Sequence, residues 1–581
     1  NAEYWLDVND CQWLIDQGAA NVGSKEEPLP LEIKARGNFT RKAFAKKPFK
    51  LKLDKKQSLL GLSKSKHFAI LAHADDDYGY LRNFTGFNLG RRMGLPWTPW
   101  QQPVEVVING DYRGLYFLTE SIRVGDGRVP AEELDDNCMD PALLSGGYLV
   151  ELDNYDEDNQ IRMEEKSCAG GQELDILRVT WDTPEEYSEL QKRFVTEQFT
   201  AMNDAVGSAN SSDELWKYMD MDDAARYYLV EEIISHWEAY HGSTYMFRDR
   251  GEGKKWHFSP LWDCGNAFNG STNNFFYNCD EFGNTWIPSM RENASFNAKV
   301  RETWAWFMKN KYPGIEDDMR AYADHIKEAA KADRERWKDA PRPNYQGAQP
   351  VVDNTDMDSK LENALNHLNA KTSWLKTQFG EYADASYTEP ARDNTEAAPL
   401  PDYVKPGFGP DETYPDMYIR GTMTGADWGI NEAYKMTREG KTYTITLESL
   451  DGEFKVGNSD WTINYGPETP VTVSGNKSLP VNKGGKNITA AGLQNVTISF
   501  ELNLGADGEV QASTLVITVP EIPATGMSGT LPVLYINVYT DATKTEYNNE
   551  VIDKDLNHKN YFSNAEYWLD VNDCQWLIDE G

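Results

Sequence analysis

Positive charge is what this 581-residue chain has too little of: 58 Lys and Arg face 93 Asp and Glu, for a formal net charge of −35. A surface of that sign repels phosphate backbones and anionic headgroups, which argues against nucleic acid and acidic membrane faces as partners. Long apolar runs are also missing, and no stretch reaches the roughly 20 residues that a spanning helix requires. Cysteine is sparse: six residues, at 11, 138, 168, 264, 279 and 574, none at C-x-x-C spacing. Cys264 and Cys279 flank an asparagine-rich loop, and Cys138 and Cys168 flank a long insertion. Each pair is open to a disulfide in an oxidising compartment or to two buried thiols. No leader peptide is visible, and a leader removed ahead of Asn1 fits the abrupt start.

With 40% hydrophobic residues the composition is globular, and the length suits roughly three to four domains. Self-similarity is present at the two ends. Residues 1–18, NAEYWLDVNDCQWLIDQG, recur at 564–581 as NAEYWLDVNDCQWLIDEG, with Gln17 against Glu580 as the difference. The chain is then either slightly more than one period of a tandem array or a single copy whose ends are duplicated.

The stretch 227–268, YYLVEEIISHWEAYHGSTYMFRDRGEGKKWHFSPLWDCGNAF, concentrates the chemistry. Tyr228, Leu229, Ile233 and Ile234 recur near helical spacing, and Gly242 closes that run. Thr244 to Phe247 and Trp256 to Phe258 are β-rich runs around the turn Asp249-Arg250-Gly251-Glu252-Gly253, which predicts a hairpin leading into Trp262 and Asp263. Glu238 and Asp263 therefore bracket one hairpin and converge, as a base and a metal-binding carboxylate do in phosphoryl transfer. The plainer alternative makes Asp263 a turn cap and Glu238 a solvated side chain.

The motifs W-E-A-Y, S-T-Y-M-F-R-D and S-P-L-W-D-C-G-N-A-F-N resemble the CotH (spore-coat protein H) family of atypical protein kinases, whose pattern reads D-A-Y, S-T-Y-x-Y-x-D and G-P-x-W-D-F-x-x-A-F-G. The resemblance places Asp263 on the family's metal aspartate. Glu238 stands where the family has aspartate, and Asn269 where it has glycine. Moving a carboxylate outward by one methylene matters, because displacement of about an ångström costs on the order of a hundredfold.

Upstream, Phe49, Leu51 and Leu53 alternate with Lys50 and Lys52, so both lysines lie on one face of a strand. The run from Arg36 through Gly37, Asn38, Thr40, Lys46, Lys47, Lys50 and Lys52 resembles the family's R-G-N-S-T…K-K-P-Y-K-x-K-L. The resemblance implies phosphate binding by Lys50 or Lys52, with Arg36 and Asn38 beside them. An exposed basic hairpin is the alternative. Asp75, Asp76 and Asp77 read as a helix N-terminal charge cluster in preference to a metal site. Val104–Ile122 predicts a hairpin turning at Asn109-Gly110, and it resembles the family's V-x-x-N-G-x-Y-x-G-x-Y-x-L-x-E. Glu151 ends the strand GGYLVELD, and by resemblance lies near the lobe connection and the adenine edge; a structural strand-end carboxylate is the alternative.

From about 183 helical periodicity takes over, at 184–206, 212–237, 296–311, 315–337 and 356–379. Residues 382–415, rich in Pro, Asp, Glu and Thr, read as a linker. Short, regularly spaced strands at 417–519 predict a β-sandwich. The sequence MYIRGTMTGADWG…GEFKVGNSDWTINYG resembles starch-binding modules of the SusE/SusF type, which implies glycan stacking on Trp428, Trp461 and Tyr465 beside Lys455; core packing of Trp461 and Tyr465, or a spacer role, is the alternative. Residues 531–555 and 566–569 resemble the opening strands of a CotH domain. They would pair with the start of a next copy and give head-to-tail growth.

The expectation is an α+β chain. It comprises a two-lobed atypical-kinase-like domain over 1–381 (N-lobe about 19–155, helical lobe about 183–381), a sandwich over 416–520, and further CotH strands over 525–581. The resemblance implies a secreted or surface bacterial protein using ATP and Mg²⁺ to phosphorylate protein Ser or Thr. Its rival is a pseudokinase repeat unit of an extracellular fibre or adhesin with a glycan-binding or spacer module.

Overall fold

The computed structural model describes residues 2–539 with breaks, the longest at 165–175, 279–285, 341–355, 405–414 and 519–530. Asn38, Cys168, Cys279 and the second copy of the terminal repeat at 564–581 lie outside the described residues.

The N-terminal lobe is a closed barrel. Its strands are β1 (Ala2–Asp7), β2 (Leu29–Ala35), β3 (Phe49–Gln57), β4 (Ser65–Leu71), β5 (Gln101–Ile108), β6 (Asp111–Glu120) and the C-terminal strand Val533–Val538. They are ordered β1-β2-β3-β4-β6-β5 and then the C-terminal strand, which returns to β1. Alternation builds it. Phe49, Leu51 and Leu53 are buried in the barrel, while Lys50 and Lys52 point outward. Each apolar side chain so buried stabilises by about 1.5–3 kcal/mol. The β5–β6 turn has Asn109 and Gly110 at φ +53° and +78°, the left-handed pair a two-residue hairpin requires.

The C-terminal strand runs antiparallel to β1, Ala2 opposite Val538 through Asp7 opposite Val533, and parallel to β5. Trp5 stacks on Tyr535 at 4.8 Å. Within this chain the strand's partners are β1 and β5, which closes the barrel without an unpaired edge; pairing with another copy stays an expectation.

A second sheet, ordered β11-β10-β7-β9-β8, is formed by β7 (Tyr148–Asp153), β8 (Gln160–Glu164), β9 (Ile176–Thr183), β10 (Thr244–Arg248) and β11 (Trp256–Phe258). Helices α1 (Gln12–Asp16) and α2 (Phe39–Ala43) are short. Helix α3 (Leu81–Met93) joins the lobes, and α4 (Glu189–Val206), α5 (Met221–Ile233), α6 (Ile287–Met290), α7 (Ala294–Asn310), α8 (Ile315–Trp337) and α9 (Met357–Phe379) build the helical lobe. All 13 residues of α5 are buried, so it is the lobe's central helix rather than an amphipathic surface one. The helix expected from 184 starts at Glu189 instead, because Ser188 and Gln191 form a capping box there.

The linker expectation needs correction. Residues 388–401 form no regular element, yet they are strapped to the helical lobe: Lys299 Nζ donates to Ala391 O (2.7 Å), Asp393 N to Asp222 Oδ2 (2.6 Å), Lys255 Nζ to Thr395 O (2.7 Å) and Ala398 N to Lys217 O (2.8 Å). A polar, proline-rich sequence looks solvated until buried cations are found to take its carbonyls.

The third unit is a β-sheet domain with its own core, built on Thr442–Asn458 paired with Ile488–Glu501 and flanked by Met417–Gly421 and Thr514–Thr518.

Candidate functional site

Helix α5 ends at Ile233, and the chain turns through Ser235 (φ +52°) into the segment holding Glu238. A second loop, after β11, carries Asp263 and the 3-10 turn Cys264–Asn266. Two backbone bonds clamp the loops together, Phe268 N to Ile234 O (2.7 Å) and Gly270 N to Ser235 O (3.0 Å). Helix α3 fixes the second loop: Cys264 N donates to Asn83 Oδ1 (3.1 Å), and Gly86 leaves space for the thiol, since a Cβ there would lie 2.3 Å from Cys264 Sγ. Asp263 is exposed with φ +51°, a left-handed conformation that Asp tolerates better than most residues. Asn266 Nδ2 donates to Glu238 Oε2.

The Asp263 charge acts on two neighbouring carboxyls here. Burial and then the Asp263 charge push Glu238 up. Burial pushes Asp75 up to about 7, with Arg82 opposing and Asp263 and Asp76 adding to the rise. Asp263 and Asp75 carry carboxylate oxygens of the type a hard divalent cation takes. The acidic triplet therefore divides. Asp76 accepts from Tyr78 N (2.8 Å) and Arg82 N (3.2 Å) as the charge-cluster expectation required, whereas Asp75 belongs with Asp263.

The other half of the site lies where the barrel's outer face meets the second sheet. Lys50 is half-buried, and its pKa is lowered by burial, Lys34 and Arg123 against the pull of Asp182 and Glu185. Lys52 instead pairs with Glu32 at 3.1 Å, the two side chains 48% and 68% exposed. That separates the two lysines: Lys50 is half-buried beside the charges of Arg123 and Asp182, and Lys52 makes a surface ion pair. Glu151 accepts from the Tyr245 hydroxyl (2.8 Å) across the β7–β10 pairing, and burial, then Asp153, raise it to about 8. Asp182, at the end of β9, is raised to about 6 by burial, with Arg123 and Lys50 opposing. The Arg36 guanidinium lies 5.4 Å over the Trp262 ring, and its charge acts on Tyr245 and His73. The Lys50 charge thus acts on Asp182 and that of Asp182 on Glu151, while Arg36 lies over Trp262, the residue before Asp263.

Asp75, Asp182 and Arg123 were not singled out as site residues from sequence; the D-D-D run signalled the first, and no motif signalled the others. Among the described residues, Asp220, Asp223 and His257 form a group with metal-ligand composition. Arg392 Nη1 already bonds Asp223 Oδ1 at 3.0 Å, so the group is an ion-pair knot under the strap.

In the third unit, Trp428 and Trp461 are half-buried with ring centroids 6.0 Å apart and a tilt of 40°. Arg420 covers one face of Trp461 at 3.9 Å, and Lys455 Nζ donates to Asn464 Oδ1 (2.7 Å). Tyr465 is 1% exposed in the core. It offers no ring face to a sugar, which corrects its assignment as a stacking residue.

A barrel lobe joined to a second sheet and a helical lobe makes an α+β protein of kinase-like architecture. The model of the family described as CotH kinase protein matches residues 33–376. The chain belongs to that family. No curated protein matches. A solved structure described as "Ligand induced structure of AmyP-SBD" matches at 15% identity, covering 24% of this chain and 98% of its own, with a TM-score of 0.16. Among the described residues no helix is long and apolar enough to cross a membrane.

Proposed function

We propose that the groove binds ATP and transfers its terminal phosphoryl group to a Ser or Thr hydroxyl of a protein, at the cell surface or outside the cell. What supports this reading is the match of the CotH kinase model to residues 33–376, with the Asp263 charge acting on Glu238 and Asp75 and Lys50 acting on Asp182. Lys50, its charge uncompensated by a tight ion pair, holds phosphate oxygens as a point charge, and Arg36 adds a second cation. Asp263 and Asp75 are the residues that would hold Mg²⁺, which when bound supplies charge neutralisation on the phosphates. Glu238 orients the acceptor hydroxyl and takes its proton as the acceptor oxygen bonds the γ-phosphorus and the γ-phosphorus–oxygen bond to ADP breaks, ADP leaving.

The test is incubation with Mg²⁺ and labelled ATP beside Asp263→Ala. A nucleotide-dependent thermal shift and label transfer in the parent, both lost in the variant, are expected; neither in the parent ends the reading.

A second reading is favoured by the pairing of Val533–Val538 with β1, whose sequence AEYWLD occurs again at 565–570. Exchange of that strand between copies in the same register would give a head-to-tail fibre whose third unit binds glycan or spaces the copies. Isolated compact particles at all concentrations in electron microscopy would end it.

A further inference from the structure

Directly after α5 lies a buried dyad that the phosphoryl-transfer reading does not use. His236 Nδ1 is 2.8 Å from Glu231 Oε2, with the two side chains 3% and 1% exposed, and the His236 amide also donates to Glu231 O at 3.0 Å. The ring is therefore fixed twice, by its own nitrogen and by the turn that carries it. Its other nitrogen, Nε2, is buried and meets no hydrogen-bond partner among the described residues. A buried ring nitrogen left open is costly unless something completes it, so it needs an explanation.

The charged groups facing this ring are few. Glu231 reaches it from α5, Glu238 from its own loop and Asp263 from the loop after β11, and all three act to keep the ring charged against the effect of burial. With Nδ1 committed to Glu231, the ring's open position is left for the anionic pair of the active groove. His236 and Glu238 are two residues apart on a turn clamped to the Asp263 loop through Phe268 and Gly270, and the charge of each acts on the other. The Glu238 carboxylate is held by Asn266.

We propose that His236, oriented by Glu231, is a positioning residue for Glu238, donating from Nε2 to the Glu238 carboxylate in a side-chain rotamer that exchanges, in the resting protein, with the one held by Asn266. An orienting carboxylate on a buried imidazole fixes the tautomer and ring plane, leaving one nitrogen aimed at the group it serves. Glu238 has one methylene more than the aspartate its family pattern carries, so it has one more torsion to restrain. The His236–Glu231 dyad supplies that restraint. Its catalytic consequence rests on the phosphoryl-transfer reading; the contact itself does not.

Two measurements separate the two. The first needs no activity: long-range ¹H–¹⁵N spectra of histidine-labelled protein, with His236 assigned by its loss in His236→Gln. Glu238→Gln, a change at a half-buried site that keeps size and fold, should move the His236 Nε2 signal and leave Nδ1 in place. An unmoved Nε2 overturns the proposal whether or not the protein is a kinase. The second compares label transfer in His236→Phe, which fills the space without a donor, and His236→Gln, which restores one. His236→Phe should lose on the order of a hundredfold in turnover with the Mg²⁺-ATP thermal shift intact, and His236→Gln should recover part of it. Equal turnover in parent and His236→Phe overturns the positioning role. A parent with no transfer and no thermal shift, together with a moved Nε2, would refute the kinase reading and keep the dyad contact.

Discussion

The Lys46 ammonium lies 2.9 Å from Asp333 Oδ1, with each side chain 4% exposed, and this pair joins the barrel to helix α8. Asp333 also accepts from Leu115 N (3.0 Å) and the Tyr80 hydroxyl (2.6 Å), and Gly114 clears its approach, since a Cβ there would lie 2.0 Å from Oδ1. Lys46 belongs to the same basic motif as Lys50, yet it is spent on holding the lobes. Removing either partner leaves a buried charge alone. Asp333→Ala should therefore cost about 3–5 kcal/mol in denaturant unfolding of the kinase-like domain. Lys46→Met with Asp333→Leu should recover most of it, and equal loss in the single and double variants would refute the pairing as the cause.

Much of this was legible in sequence because alternation and turn chemistry act locally. Phe49, Leu51 and Leu53 against Lys50 and Lys52 gave the barrel strand, and Asn109-Gly110 gave its hairpin. The choice between Lys50 and Lys52 was not legible, since both share one face and only Asp182 on one side and Glu32 on the other tell them apart. Nor was Tyr465. An aromatic after W-T-I-N reads as a stacking ring or a core ring with equal ease, and burial depends on Phe500, 6.4 Å away in space and 35 residues on in sequence. The strap at 388–401 was hidden for the same reason: its partners Lys255 and Lys299 are set by the fold, not by the neighbouring sequence.

The extra methylene of Glu238 gives a direct prediction. If this side chain orients the acceptor hydroxyl, Glu238→Asp should shift the carboxylate by about an ångström and change label transfer by on the order of a hundredfold. The direction expected is upward, toward the reach of the family pattern. Glu238→Gln should abolish transfer and keep the nucleotide-dependent thermal shift, because the amide accepts no proton. Transfer unaltered in both variants would remove Glu238 from the chemistry.

Glu151 predicts a pH dependence of stability. Burial raises its carboxyl from 4.5 to about 8 in the folded chain. The folded state therefore keeps a proton that the unfolded chain has already released, and stability falls as pH rises through that window. Glu151→Gln should flatten this part of the melting-temperature profile, with the amide still able to accept from Tyr245. A parent and variant with parallel profiles between those two values would show that Glu151 is ionised in the fold.

In the third unit, binding and stability should separate. Trp428→Ala removes half-buried ring surface, so it should reduce retention on a starch or glucan gel and leave the melting temperature nearly unchanged. Tyr465→Ala empties part of a core shared with Phe500 and should cost about 3 kcal/mol or more. Parent protein that runs unretarded through the gel would make this unit a spacer.

The strap supplies the last prediction, and its sign follows from Asp223. Burial alone would raise this carboxyl, but the hydrogen bond and charge of His257 at 2.7 Å and the charge of Arg392 at 3.0 Å hold it below its ordinary range. A depressed carboxyl stabilises the fold above its unfolded pKa, and that contribution is lost as pH falls through the folded value. Asp220, pushed up by burial and by Asp223, adds repulsion that protonation relieves, so it works in the opposite sense. The net effect expected at the strap follows Asp223, because Asp223 hydrogen-bonds both His257 and Arg392. Limited proteolysis within 388–401 should therefore quicken in acid for the parent. Asp223→Asn should show the acid behaviour already at neutral pH. Arg392→Ala, whose side chain is 55% exposed, should have the smaller effect, about 1 kcal/mol or less. Cleavage rates independent of pH in all three proteins would mean that the strap is held by its backbone bonds to Lys255, Lys299 and Lys217 without help from the Asp223 knot.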